Sequence, residues 1–134
     1  MPFVDLELKE EYSKRVDVPH VKTLIDSGSM HNLLSTKTAL SILGCTKEEL
    51  LPKPCAKRLP KLRSANGKVN KATACLEVAM ATADGFYICK RRFFVFDGLP
   101  VDAIIGAATN RALKASLNFD IMAWIVKPEA DRSL

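Results

Sequence analysis

Residues 3–8, FVDLEL, alternate between Val4, Leu6 and Leu8 on one side and Phe3, Asp5 and Glu7 on the other, the period-2 pattern of a half-buried strand. A polar stretch, KEEYSKR, follows as a turn. The chain returns through VDVPHVKTLID, rich in β-branched residues, with Pro19 suited to a bend or an edge. That strand ends in DSGS at 26–29, a cluster of turn formers. TKTALSILG predicts a short helix: Ser35 or Thr36 can cap its start, Ala39, Leu40 and Leu43 form its apolar stripe, and Gly44 can close its end. Residues 46–60 hold three prolines and offer one helical turn, KEEL, in what is otherwise a loop.

The second half is β-like. LRSANGKVN carries Asn66-Gly67 at its centre, the strongest two-residue hairpin signal because both positions tolerate positive φ. ATACLEVAMAT and FYICKRRFFVF read as strands joined by a turn at Ala83-Asp84-Gly85. A DGLP turn leads to the short apolar strand VDAIIG, then a helix, AATNRALKA, with Arg111 and Lys114 exposed. SLNFDIMAWIV predicts one last strand before a polar tail, KPEADRSL. About seven strands and two short helices result, and the hairpin spacing points to a mainly antiparallel barrel or sandwich.

Composition narrows the class. A chain of 134 residues, 48% hydrophobic and 26% charged, suits one globular domain. A domain of this size buries roughly two-thirds of its unfolded surface and needs no disulfide or metal to fold. No apolar run approaches the ~20 residues of a membrane span, and the acidic, alternating N-terminus is unlike a signal peptide. Cys45, Cys55, Cys75 and Cys89 form no C-x-x-C pair, and His20 and His31 are their only companions, so no zinc spacing appears. Burial preference reads all four as reduced thiols, an intracellular and most simply cytoplasmic setting, with no metal and no cofactor.

The net charge of +5 permits an acidic partner without requiring one. Residues 51–76 hold Lys53, Lys57, Arg58, Lys61, Arg63, Lys68 and Lys71 and no acid. Such a run can bind phosphate backbone, but it lacks aromatics for stacking bases. It is read as a solvated loop and hairpin, or a surface favouring acidic peptides, rather than a nucleic-acid site. The cations of CKRR lie along a strand, where Lys discourages edge pairing.

The chemistry is carried by VKTLIDSGSMHNLLS and, much later, VDAIIGAATNRAL. An apolar strand delivering Asp-Ser-Gly into a tight turn can hold a carboxylate in a buried setting, and Gly28 allows close approach of a substrate or second chain. D-S-G alone is a common turn composition. The order of strand, D-S-G, hairpin and hydrophobic-hydrophobic-Gly strand before a helix is far more specific, and over Phe3–Val126 it resembles the retropepsin-like aspartic proteases, especially those of gypsy-type long-terminal-repeat retrotransposons. The resemblance implies an all-β, retropepsin-like acid-protease half-barrel over residues 1–126, followed by a polar tail at 127–134. It also implies an aspartic endopeptidase without cofactor, cleaving an extended peptide or polyprotein. Asp26 would be the catalytic residue, Ser27 and Gly28 its support, and Ala65, Asn66 and Gly67 the tip of a substrate-covering flap.

Aspartate-driven hydrolysis needs two carboxylates close enough to share a proton. One D-S-G per chain therefore implies a homodimer with Asp26 of each subunit at the two-fold axis. Viral members pair a second Asp beyond the triplet with an Arg or Asn after the IIG glycine; Met30, Ala107 and Ala108 occupy those places here. The alternative is an inactive retropepsin-like module of a domesticated cellular protein, serving dimerisation or peptide binding. His31 and His20 are read as structural, and Asp102 as a solvated or turn-bonded residue.

Overall fold

The computed structural model describes residues 2–49, 59–63, 67–121 and 123–131. Along the chain run β1 (Phe3–Glu10), β2 (His20–Ile25), β3 (Leu33–Ser35), α1 (Thr36–Leu43), a 3-10 turn (Lys47–Glu49), β4 (Lys61–Arg63) and β5 (Val69–Lys71). There follow β6 (Ala74–Thr82), β7 (Tyr87–Phe96), β8 (Ala103–Ile105), α2 (Ala107–Ala112), β9 (Ser116–Asn118) and β10 (Ala123–Ile125). Six strands close into a barrel in the order β1-β2-β8-β3-β7-β6, while β4-β5 and β9-β10 are separate two-stranded ribbons. Closure leaves the six-stranded sheet without an edge.

The alternation in β1 is realised: Leu6 and Leu8 are buried and Val4 packs against the same core. β1 can be central because it pairs on both sides, with β2 from Phe3↔Leu24 to Glu7↔His20 and with β6 from Leu6↔Thr82 to Glu10↔Val78. The barrel interior is filled by residues such as Leu34, Val78, Met80, Ile88 and Phe93. Ala39, Ile42 and Leu43 of α1 add the helix's buried side to this core. Ser35 caps α1, its hydroxyl accepting from Thr38 N at 3.1 Å, and Gly44 ends it at φ 67°. A second apolar cluster gathers Leu24, Leu33, Cys75, Phe94 and Ile104, with Leu62 of β4 packed against it.

Three features depart from the sequence reading. Leu33–Ser35 is a strand, and it inserts β8 between β2 and β3; β8 runs parallel to β2 and antiparallel to β3, and β3 runs parallel to β7. Parallel neighbours are joined by crossovers, which leave no turn signature in the local sequence. The single final strand expected over SLNFDIMAWIV is a hairpin instead. Asn118 Oδ1 accepts from Asp120 N at 3.1 Å and turns the chain, so that Trp124 lies opposite Leu117. Both side chains pack on the barrel core. Finally, Cys75 is disulfide-bonded, whereas Cys45 and Cys89 are reduced thiols. Burial preference, which sequence offers, does not distinguish a buried thiol from a buried disulfide.

The described tail residues lie against the barrel. Lys127 N donates to Leu113 O and Glu129 N to Ile88 O, both at 2.8 Å, and Arg91 holds the Glu129 carboxylate bidentately at 2.6 and 2.7 Å. Among the described residues, no helix is long and apolar enough to cross a membrane.

Candidate active site

Asp26 is the first residue beyond β2, and its place is set by the strand order. Its backbone N donates to Ile105 O at 3.0 Å, continuing the parallel β2–β8 ladder by one residue. The chain then turns sharply: Ser29 N donates to Asp26 O at 3.1 Å and Gly28 N to the Asp26 carboxylate at Oδ1, 2.9 Å. A Cβ at position 28 would stand 3.1 Å from that oxygen, so glycine lets the carboxylate fold over its own turn. Asp26 is half-buried, and Ser27 and Gly28 are exposed. One carboxylate oxygen is thus oriented by a backbone donor on a rigid strand end, next to an open surface.

The loop is stitched to the β8–α2 junction. Ala107 N donates to Ser29 O at 2.8 Å, and Ser29 Oγ donates to His31 O at 2.7 Å. Gly106 lies so close that a Cβ there would meet the backbone oxygens of Ser29 and His31 at 2.7 Å each. The glycine of IIG is therefore required by backbone approach, not by its φ of −92°.

Asn32 completes the assembly, and sequence reasoning did not single it out. It is buried, its Oδ1 accepts from Gly106 N at 2.9 Å, and its Nδ2 donates to Thr109 Oγ1 at 2.7 Å and Arg92 O at 3.3 Å. Its carbonyl accepts from Phe94 N at 2.9 Å. One side chain thereby joins the segment after Asp26 to β7, β8 and α2. Asn110 extends the network: its Nδ2 donates to Gly106 O and Ile105 O, and its Oδ1 accepts from Trp124 Nε1 at 2.8 Å. The available signal was an amide set directly before Leu33-Leu34, since a polar residue inside an apolar run must find partners once buried.

The remaining candidates separate. Ala65 and Asn66 lie outside the described residues. Gly67 has φ 82° with open space where a Cβ would stand, and the strands to either side pair as Lys61↔Lys71, Leu62↔Asn70 and Arg63↔Val69. His31 packs edge-on against Phe94, ring centroids 5.2 Å apart, a structural role. His20 is exposed near Asp5 and Glu7. Asp102 is exposed, its carbonyl accepting from Ser35 N. Among the described residues no cluster of His, Cys, Asp and Glu could hold a metal ion.

This architecture is retropepsin-like. The structure is similar to the crystal structure of the retroviral protease-like domain of Ddi1 from Leishmania major, with a TM-score of 0.60 over 94% of this chain and 89% of that one, at 15% sequence identity. No protein-family model matches the chain, and no curated protein sequence matches it.

Proposed function

We propose that this chain is one half of an aspartic endopeptidase of retropepsin type, active as a homodimer. The observation that carries the reading is the setting of Asp26: a half-buried carboxylate fixed at a strand end, braced by Gly28 N, inside a retropepsin-like fold that supplies one such group per chain. Two copies meeting about a two-fold axis bring two carboxylates together, and like charges at that separation cannot both ionise. The ionised carboxylate takes a proton from water as its oxygen adds to the peptide carbon, while the protonated one gives its proton to the carbonyl oxygen. Collapse of the tetrahedral species breaks the C–N bond: the carboxyl that took the water's proton gives it to the leaving nitrogen, and the other carboxylate recovers a proton from a hydroxyl of the diol.

Further features support a second subunit. Phe119, Ile121 and Ile125 on the β9–β10 hairpin, and Met30 beside the Asp26 turn, are exposed apolar groups of the kind a partner surface covers. The β4–β5 hairpin would act as the flap, with Ser27 bracing the dyad across the dimer and a polyprotein segment bound in extended form. The test is cleavage of a peptide library between about pH 4 and 7, a range bracketing carboxylate titration, at several protein concentrations and beside Asp26→Asn. Activity that rises faster than linearly with concentration and vanishes in the variant is expected. Cleavage that survives Asp26→Asn refutes the assignment. A folded dimer that cleaves nothing establishes the inactive dimerisation module in its place.

A further inference from the structure

The β4–β5 hairpin has two chemically distinct faces. Residues directly opposite in an antiparallel pair share a face, and faces alternate along each strand. Leu62 and its partner Asn70 are half-buried, and Leu62 packs against the second apolar cluster. The other face carries Lys61, Lys71, Arg63 and Val69, all exposed. None of the three cations takes part in an ion pair among the described residues.

The register makes this face costly. Lys61 and Lys71 are directly opposite each other, where like charges destabilise a strand pair. A ribbon of three residues a side has little stability to spare, so a repulsive pair at its first rung is a local conflict of the sort found at functional surfaces.

Sequence alone reads this run of cations as a solvated surface, but the register gathers three of them on one exposed face, and we propose that this outward face of the β4–β5 hairpin binds the phosphate backbone of a nucleic-acid duplex, without reading its sequence. Cross-strand and same-strand neighbours set the Cβ atoms of these residues about 5 to 8 Å apart on one face, and no acid interrupts the chain from residue 51 to 76. The net charge of +5 adds a field of the same sign. A protein partner would need a desolvated apolar or aromatic anchor, and Val69 is the face's sole large apolar group. Phosphate binding needs none, because exposed cations gain affinity by releasing condensed counterions. The absence of aromatics disfavours stacking on single-stranded bases, and the duplex has the higher charge density. This surface is independent of whether Asp26 cleaves peptides.

The test is fluorescence anisotropy of a labelled 20-base-pair DNA duplex against the full chain, from about 50 to 200 mM salt. It is run beside the triple variant Lys61→Gln, Arg63→Gln, Lys71→Gln, with the single strand and poly-glutamate as competitors. Each neutralised phosphate contributes about −0.9 to the slope of log K against log salt, so the triple variant should lose about 2.7 from the slope and at least about tenfold in affinity at 50 mM. Its melting temperature should be no lower than that of the parent, because the Lys61–Lys71 repulsion is gone. Absence of duplex binding at 50 mM, or a variant that keeps the parent's affinity and slope, overturns the proposal. Tighter binding of the single strand or of poly-glutamate overturns it too, the latter naming an acidic polypeptide as the partner.

Discussion

Replacing Asn32 by Ala tests whether one buried amide holds the Asp26 turn in place. The substitution removes three hydrogen bonds of unequal weight. Gly106 N–H loses its 2.9 Å acceptor at a buried junction too crowded for a Cβ, so little room remains for a replacement partner. An orphaned buried donor costs about 1–3 kcal/mol. Thr109 Oγ1 loses a 2.7 Å contact but keeps a rotatable hydroxyl, and the 3.3 Å contact to Arg92 O is the weakest of the three. The net loss should be about 2–4 kcal/mol, a large share of the ~5–15 kcal/mol typical of a whole domain. Thr109→Val, which breaks a single bond, should cost about 1 kcal/mol, and the double variant should show a coupling of similar size. Urea denaturation with an unchanged m-value is the assay. A loss under about 1 kcal/mol for Asn32→Ala would show that the network is incidental to stability. Peptide cleavage, where present, should fall in the surviving folded fraction as well, because the loop that loses its tether is the one bearing Asp26.

Other perturbations follow from the same geometry. Gly106→Ala places a Cβ 2.7 Å from two backbone oxygens and should destabilise by about 1–3 kcal/mol in thermal or urea unfolding, whereas an unchanged midpoint would refute the close approach. Burial pushes the Cys89 thiol from an ordinary value near 9 up to about 12. The unfolded chain therefore releases this proton first, and the stability that Cys89 contributes, complete below about pH 9, should be lost as pH rises towards 12. Cys89→Ala should flatten that part of the stability–pH curve, and in the native protein at pH 8 alkylation of Cys89 should lag behind that of half-buried Cys45, as mass spectrometry would show. The proposed homodimer should appear in analytical ultracentrifugation and be lost with Phe119→Asp and Ile121→Asp while the circular dichroism stays unchanged; an undiminished dimer would move the interface elsewhere.

Much of the local structure was legible because it depends on near neighbours. The alternation in FVDLEL and the cap and glycine stop of α1 are rules of two to eight residues, and each element appears in the fold. Leu33–Ser35 is too short to carry a period, and the apolar content of SLNFDIMAWIV masks the turn set by Asn118. The D-S-G triplet marked where a carboxylate turns a strand end, since Gly28 and Asp26 are two residues apart. What holds that turn is not local. Asn32 reaches Gly106 and Thr109, more than seventy residues away, and Gly106 is pressed against Ser29 and His31. Those contacts exist because the barrel slides β8 between β2 and β3. A hydrogen bond of 3 Å depends on coordinates and not on sequence separation, so the amino-acid order could name the carboxylate and its near neighbour Gly28, while only the packed strands could name the distant support, Asn32.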